Sequence, residues 1–276
     1  MKKLFKGIIE QLVKSTLGWK LCQILFVLPG EHAAWARKMY MRRADVRSTV
    51  AKHFSNWTVK HGPFAGMRMA SFDGPCLAQL LGSYERELHP VIERCCETGY
   101  SQIIDIGSSI GYYAVGMAMR NPKVQVCAYD IDEDALSLCR QSAELNGVSD
   151  RVTYGSFCDS AALLDIEVGQ RALVICDCEG YEKILFDEST VARLTRHDLL
   201  IEVHDQIEPG VGEYLKTVLE PHYDIQVMDS ISDEQKVQEY DYPELTGLSD
   251  DEKLSILLEG RGATMQWFYC TLKRTQ

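Results

Sequence analysis

Between Gln102 and Asp229 short apolar runs alternate with longer stretches in which apolar residues recur every three or four positions. The runs predict strands at 102–106, 124–130, 151–156, 172–178, 198–205 and 223–229. The stretches between them predict helices at 110–120, 133–146, near 160–166, near 182–194 and at 211–220. Strict alternation of this kind is the pattern of a parallel, doubly wound α/β sheet with helices on both faces. The chain then leaves the pattern. Residues 230–260 are acidic and hold one further helix behind the cap Ser249, and ATMQWFYCTLK, aromatic and β-branched, predicts a last strand. Returning antiparallel, that strand completes a seven-stranded sheet.

The region before the alternation reads differently. Residues 1–60 have helical periodicity broken at Leu28-Pro29-Gly30, HGPFAGM at 61–67 reads as a turn and short strand, and 77–99 reads as helix interrupted near Gly82 and Pro90. Two regions are therefore expected: a helical N-terminal extension, 1–60, and an α/β domain, 61–276, whose insertion at 230–260 is placed to cap a substrate cleft or to decorate the periphery. With 276 residues, 46% hydrophobic and 25% charged, the chain has the composition of a soluble globular protein.

Charge sharpens this picture. In residues 1–60, 12 Lys and Arg stand against 3 Asp and Glu, in a chain that carries 29 against 40 and a net charge of −11. An acidic body argues against an enzyme that tracks nucleic-acid phosphates, whereas the basic arm suits an anionic membrane surface or RNA, or is simply a solvated helical face. LCQILFVL at 21–28 is too short to span a bilayer. The ten cysteines are scattered without repeated C-x-x-C spacing, which points to reduced thiols and a cytoplasmic, or peripherally membrane-associated, protein. Cys176 and Cys178 share a strand face and read as buried packing.

The chemistry concentrates where IIDIGSSIGYYAV, starting at Ile103, runs from strand into helix. Gly107 and Gly111 let the backbone pass close to a ligand, and the helix behind them offers free N–H groups. Asp105 beside the turn would repel a pyrophosphate but suits a ligand carrying an ammonium group, and S-adenosylmethionine fits that description. The next strand ends in Asp130, near the spacing at which an acid accepts bonds from a ribose diol. Asp132 and Asp134 read as the first turn of a helix.

In open α/β sheets ligands lie beyond the carboxyl ends of the strands. Two further ends are polar here: Asp177-Cys178-Glu179-Gly180, and Glu202-Val203-His204-Asp205. A carboxylate closing ALVICD has no packing explanation, so Asp177 reads as functional, while Glu179 either joins it or caps the helix that follows. His204 could serve as general base or as a satisfied structural histidine, with Glu202 on its side of the strand. Asp177 and Asp205 could share a cation, but a third ligand is missing, and no metal is expected.

These segments resemble class I S-adenosylmethionine-dependent methyltransferases, and among them the FkbM-like family. IIDIGSSIGYYAV and VCAYDIDEDAL resemble the first two cofactor motifs, LNGVSDRVTYGSF the approach to the adenine pocket, and DCEGYEKILF with LLIEVHD the FkbM pair. The resemblance covers about 98–229 and the final strand. The family has Glu-Pro where this chain has Asp130-Ile131. It implies a Rossmann-like seven-stranded sheet with the last strand antiparallel, S-adenosylmethionine as methyl donor, and methyl transfer to oxygen on a sugar, glycan or small natural product. By position it implies that Asp105 binds the methionine ammonium and that Ile106, Gly107, Ser108, Ser109 and Gly111 line the methionine and ribose. Asp130 would hold the ribose, Ile131 and Phe157 would sandwich adenine, and Ser156 or Asp159 would meet its amino group. Asp177 would face the reacting methyl, with His204 the first candidate base, Asp177 the second and Glu179 beside them. A cofactor-binding module without catalysis, recruited through its basic N-terminus, is the competing expectation. A nicotinamide oxidoreductase is disfavoured by Asp105 and the single G-x-x-x-G.

Overall fold

The computed structural model describes residues 54, 56–70, 77–165, 171–261 and 264–273. The periodicity and basic charge of the N-terminal segment, and its apolar run at 21–28, fall almost entirely outside the described residues. Two compact units emerge. The larger comprises Trp57–Ser71, Glu85–Ile231 and Ala263–Gln276; the smaller includes Phe72–Tyr84 and Ser232–Gly262, which takes in most of the insertion expected at 230–260.

The larger unit is built on one sheet of seven strands: β1 (Gln102–Ile106), β2 (Gln125–Tyr129), β3 (Val152–Gly155), β4 (Ala172–Cys176), β5 (Asp198–Val203), β6 (Tyr223–Asp229) and β7 (Gln266–Leu272). Their spatial order is β3-β2-β1-β4-β5-β7-β6. All neighbours are parallel except the two pairs made by β7, which is antiparallel to β5 and β6. The central strands β1, β4 and β5 are buried along their whole length, as sheet strands covered on both faces must be.

Register decides what each face carries. Ile106, Cys176 and Ile201 are aligned across β1, β4 and β5, and their face packs with Leu163, Leu185, Phe186, Val191 and Leu215 in an apolar core. The neighbouring row, Asp105, Ile175 and Leu200, points to the opposite face. Alternation places Glu202 on that second face, opposite Trp267 of β7, and one step beyond the strands it carries Asp177 and His204 there too. One face of the sheet is thus a plain core, and the other ends in acids.

Most element boundaries follow the sequence expectations to within two residues. The helix expected at 182–194 is two helices, Glu182–Leu185 and Glu188–Arg193. Asp187 makes the break, its side chain accepting the Thr190 N–H at 2.7 Å and so starting a new helix. Pro90 does not interrupt a helix but sits in the first turn of His89–Glu97, where no backbone donor is needed. In the smaller unit, Ser249 caps Asp250–Leu257 with a reciprocal bond from Glu252, as expected. The helix Asp233–Glu239 was not foreseen, because its seven residues hardly alternate apolar with polar.

Candidate active site

The turn after β1 is shaped by two glycines in the left-handed region. At Gly107, φ is +81° and an added Cβ would stand 1.7 Å from the carbonyl oxygen of Asp177, a clash with backbone that no rotamer relieves. Gly107 therefore allows the loops after β1 and β4 to touch. Gly111 starts the helix Tyr112–Arg120 at φ +86°, and a Cβ there would meet the Cys139 sulfur at 2.5 Å. Between them Ser109 also has positive φ, 47°. Its N–H donates to Asp130 Oδ2 at 2.7 Å, while Asp130 Oδ1 accepts the Asp132 N–H at 2.8 Å. Asp130 is thereby held rigidly at the end of β2, with lone pairs left for a diol. Asp132 caps the helix Glu133–Leu145 through the N–H groups of Asp134 and Ala135.

Asp105 is buried in the central strand, and burial, aided by the charge of Asp130 but opposed by the backbone N–H of Ala114, pushes its pKa up to about 7. Its Oδ2 and the buried Ser108 Oγ have no hydrogen-bond partner within the protein. Buried acceptors in that state are costly, and a ligand that brings N–H donors relieves the cost. A ligand ammonium fits them, and the Gly107 turn supplies the close backbone approach. Beyond β2 and β3, Ile131 and Phe157 are 79% and 54% exposed, with Ser156 exposed beside Phe157. Apolar surface left in water at strand ends is what a nucleobase would cover. Phe157 lies against Tyr181, ring centroids 5.7 Å apart. Asp159, the other candidate for the adenine amino group, caps its own helix through the Ala162 N–H.

Past β4 the backbone turns sharply: Glu179 has φ 53° and Gly180 φ 101°. Left-handed geometry at a non-glycine is a strain of about 1 kcal/mol or more and is found where side-chain placement matters. Glu179 does not cap the following helix; its carboxylate is 3.7 Å from His204 Nε2. The Gly180 N–H and His204 Nδ1 instead share Glu182 Oε1, at 3.2 and 2.6 Å. Glu182 and His204 are both buried, so this bond fixes the ring. Nε2 then faces Asp177 Oδ1 and Glu202 Oε2, each at 3.4 Å. Burial would drive the proton off His204, but its bonds to Glu182 and Glu202 and their charges outweigh that, and its pKa is pushed up to about 11.

Asp177 and His204 are thus brought together as expected. Their accessibility is not what a histidine in contact with an acceptor requires: the His204 side chain is 1% exposed and that of Asp177 31%. His204 stands behind Asp177. Burial, followed by the neighbouring charge of Glu202, raises Asp177 well above the usual carboxylate range. Asp205 does not join them, since its Oδ1 accepts the Gly212 N–H at 3.2 Å. Sequence reasoning gave no role to Glu182, although the Gly-Tyr-Glu spacing carried it. It also missed buried Glu85, which accepts a bond from the Tyr113 hydroxyl and adds its charge to Asp177; nothing local in the sequence marks that residue.

The strand order, the antiparallel seventh strand and the cradle after β1 define the fold of the class I methyltransferases. A family model, the methyltransferase small domain, matches residues 91–176, which span β1 to β4. Two curated relatives are similar over shorter stretches of 75 and 69 residues. One is a release factor glutamine methyltransferase of Chlorobaculum tepidum, 33% identical over 75 residues, 25% of this chain and 26% of the relative. The other is a release factor glutamine methyltransferase of Deinococcus radiodurans, 32% identical over 69 residues, 25% of each chain. The chain thus matches about a quarter of the length of these relatives. Solved structures of similar shape include an rRNA methylase from Streptococcus thermophilus, with TM-score 0.46, 14% identity, and 68% of this chain and 98% of that one covered. Another is the Pyrococcus abyssi tRNA (uracil-54, C5)-methyltransferase in complex with S-adenosyl-L-homocysteine, with TM-score 0.42, 15% identity, and 69% and 39% covered.

Proposed function

We propose that this protein transfers a methyl group from S-adenosylmethionine to an oxygen of a sugar, glycan or other small natural product, as the FkbM-like resemblance of its strand ends implies. One observation carries the cofactor part: Asp105 Oδ2 and Ser108 Oγ, buried and without protein partners, flank a glycine turn that admits no side chain, one strand away from a rigidly held Asp130. Asp105 and Ser108 would hold the methionine end, Asp130 the ribose hydroxyls, and Ile131 with Phe157 the base. When bound, the cofactor supplies an electrophilic methyl on a sulfonium.

The acceptor end is assigned to the loops after β4 and β5. Transfer needs an acceptor held in line and one proton removed. Of the carboxylates facing His204 Nε2, Asp177 is both close to the ring and partly exposed, so it takes the hydroxyl proton, and His204, the first candidate from the sequence, orients it from behind. The methyltransferase small-domain match lends support to the cofactor half alone, since it stops at residue 176, the end of β4, where the acceptor loops begin. A small-molecule acceptor also suits the acidic body better than a nucleic acid does. Peripheral membrane contact through residues 1–60 remains part of the proposal, as does a substrate-capping role for the 230–260 insertion.

The test is calorimetric titration with S-adenosylmethionine and S-adenosylhomocysteine, followed by a screen of hydroxylated acceptors with labelled methyl donor. Micromolar cofactor binding, and transfer lost in Asp177→Asn while binding persists, are expected. Native protein that binds neither ligand at millimolar concentration would favour the non-catalytic module.

A further inference from the structure

The loops after β4 and β5 also carry a constellation that methyl transfer does not require. Asp177, Glu179 and His204 each present one ligand atom, and the three atoms lie within 4.8 Å of one another. We propose that they bind a divalent transition-metal ion, of the Mn²⁺, Co²⁺ or Zn²⁺ class. This goes beyond the cofactor reading and does not rest on it.

Three features of the site argue for a metal rather than a chance meeting of acids. The first is spacing. His204 Nε2 is 3.4 Å from Asp177 Oδ1 and 3.7 Å from Glu179 Oε2. Around an ion about 2.1 Å from each atom these separations subtend angles of about 110–125°, close to tetrahedral. The second is the partner of the other ring nitrogen. A metal-bound histidine characteristically gives its remaining N–H to a carboxylate, which fixes tautomer and ring plane. Glu182, fully buried, takes that position on Nδ1 at 2.6 Å, leaving Nε2 as the metal-binding nitrogen. The third is Asp177 Oδ1, a buried oxygen without a hydrogen-bond partner that faces the same nitrogen.

The donor set selects the ion. One imidazole with carboxylates suits Mn²⁺, Co²⁺ and Zn²⁺, whereas Mg²⁺ and Ca²⁺ prefer oxygen alone. Glu202 Oε2, at 3.4 Å from Nε2, adds negative charge. A proton and a metal compete for the Nε2 lone pair, so binding releases the proton and tightens as pH rises. Strain at Glu179 has a purpose here, because an extended backbone would carry its carboxylate away from the pair. An ion so placed lies beside Asp177, where it would polarise an acceptor hydroxyl.

The experiment uses the full chain, stripped with a chelator and titrated with Co²⁺ while visible d–d absorption and heat are recorded. Saturable binding with the intensity of a four- or five-coordinate site is expected. Glu179→Gln, at an exposed position where folding is not at stake, should weaken it at least about tenfold, and Glu182→Gln, which leaves all three ligands, about 10–100-fold. Native chain that shows no saturable Co²⁺ binding below about 1 mM would overturn the proposal, as would binding unchanged by Glu179→Gln and Asp177→Asn combined. S-adenosylmethionine titrations on the same samples separate the two readings. Metal binding without cofactor binding sinks only the methyltransferase proposal, and cofactor binding without metal binding sinks only this one.

Discussion

At the scale of single residues the site turns on carboxylates whose burial differs. Asp130 is tethered through both oxygens to backbone N–H groups, so Asp130→Ala removes a preorganised diol acceptor and should weaken S-adenosylmethionine binding by more than tenfold in calorimetry. Asp105 predicts a pH dependence. Its pKa of about 7 is set by burial, with Asp130 the charge and Cys139 the other titratable group beside it. Below about pH 7 it is largely protonated and gives a ligand ammonium no charge. Cofactor affinity should therefore rise between about pH 6 and 8, and Asp105→Asn should flatten the profile. The sign for folding is opposite. A carboxyl whose pKa is higher folded than unfolded holds more protons in the native state, so its contribution to stability declines between about pH 4 and 7. Asp105 and Asp130 stood out in the sequence because each lies within a residue of the end of an apolar strand that leads into a turn. Glu182 and Glu85 did not, because their role exists only once separate segments meet at His204 and Asp177.

At the scale of elements the turns matter more than the strands. The succession of strands and helices, and with it a parallel sheet closed by a last antiparallel strand, could be read from periodicity; the spatial order of the strands could not. Nor could the point where each strand stops. β4 was expected to reach residue 178 but ends at Cys176, as the left-handed pair Glu179-Gly180 redirects the chain. β5 likewise stops at Val203, which moves His204 out of the ladder. Gly107 is the sharpest test of this view. Gly107→Ala must put a methyl into the Asp177 carbonyl and keep φ near +81°, so the loops after β1 and β4 have to separate. A loss of about 2–4 kcal/mol in denaturant unfolding is expected, with cofactor binding abolished. Asp132→Ala tests a milder case. It removes the cap of Glu133–Leu145 and should cost about 1 kcal/mol, without the loss of binding expected for Asp130→Ala.

For the whole molecule the question is which unit the cofactor stabilises. Every residue assigned to it, from Asp105 to Asp177, belongs to the larger unit, and the smaller unit, which includes Phe72–Tyr84 and Ser232–Gly262, supplies none. Its buried Lys236, paired with Glu259 at 2.8 Å, marks a polar centre of its own. The sequence did not separate this unit, because a segment before β1 and an insertion before β7 are remote along the chain. A ligand that binds only the native state at a hundred times its Kd adds about 2.7 kcal/mol of stability to whatever unfolds cooperatively with its site. Hydrogen exchange with saturating S-adenosylhomocysteine should therefore slow across 103–111, 128–133 and 155–159, while amides of 233–257 exchange at the same rate with and without it. Equal slowing in both units would mean that they unfold together and that the insertion senses the cofactor. Protection confined to the sheet would mean that the two units open independently, and that the cofactor stabilises the larger one alone.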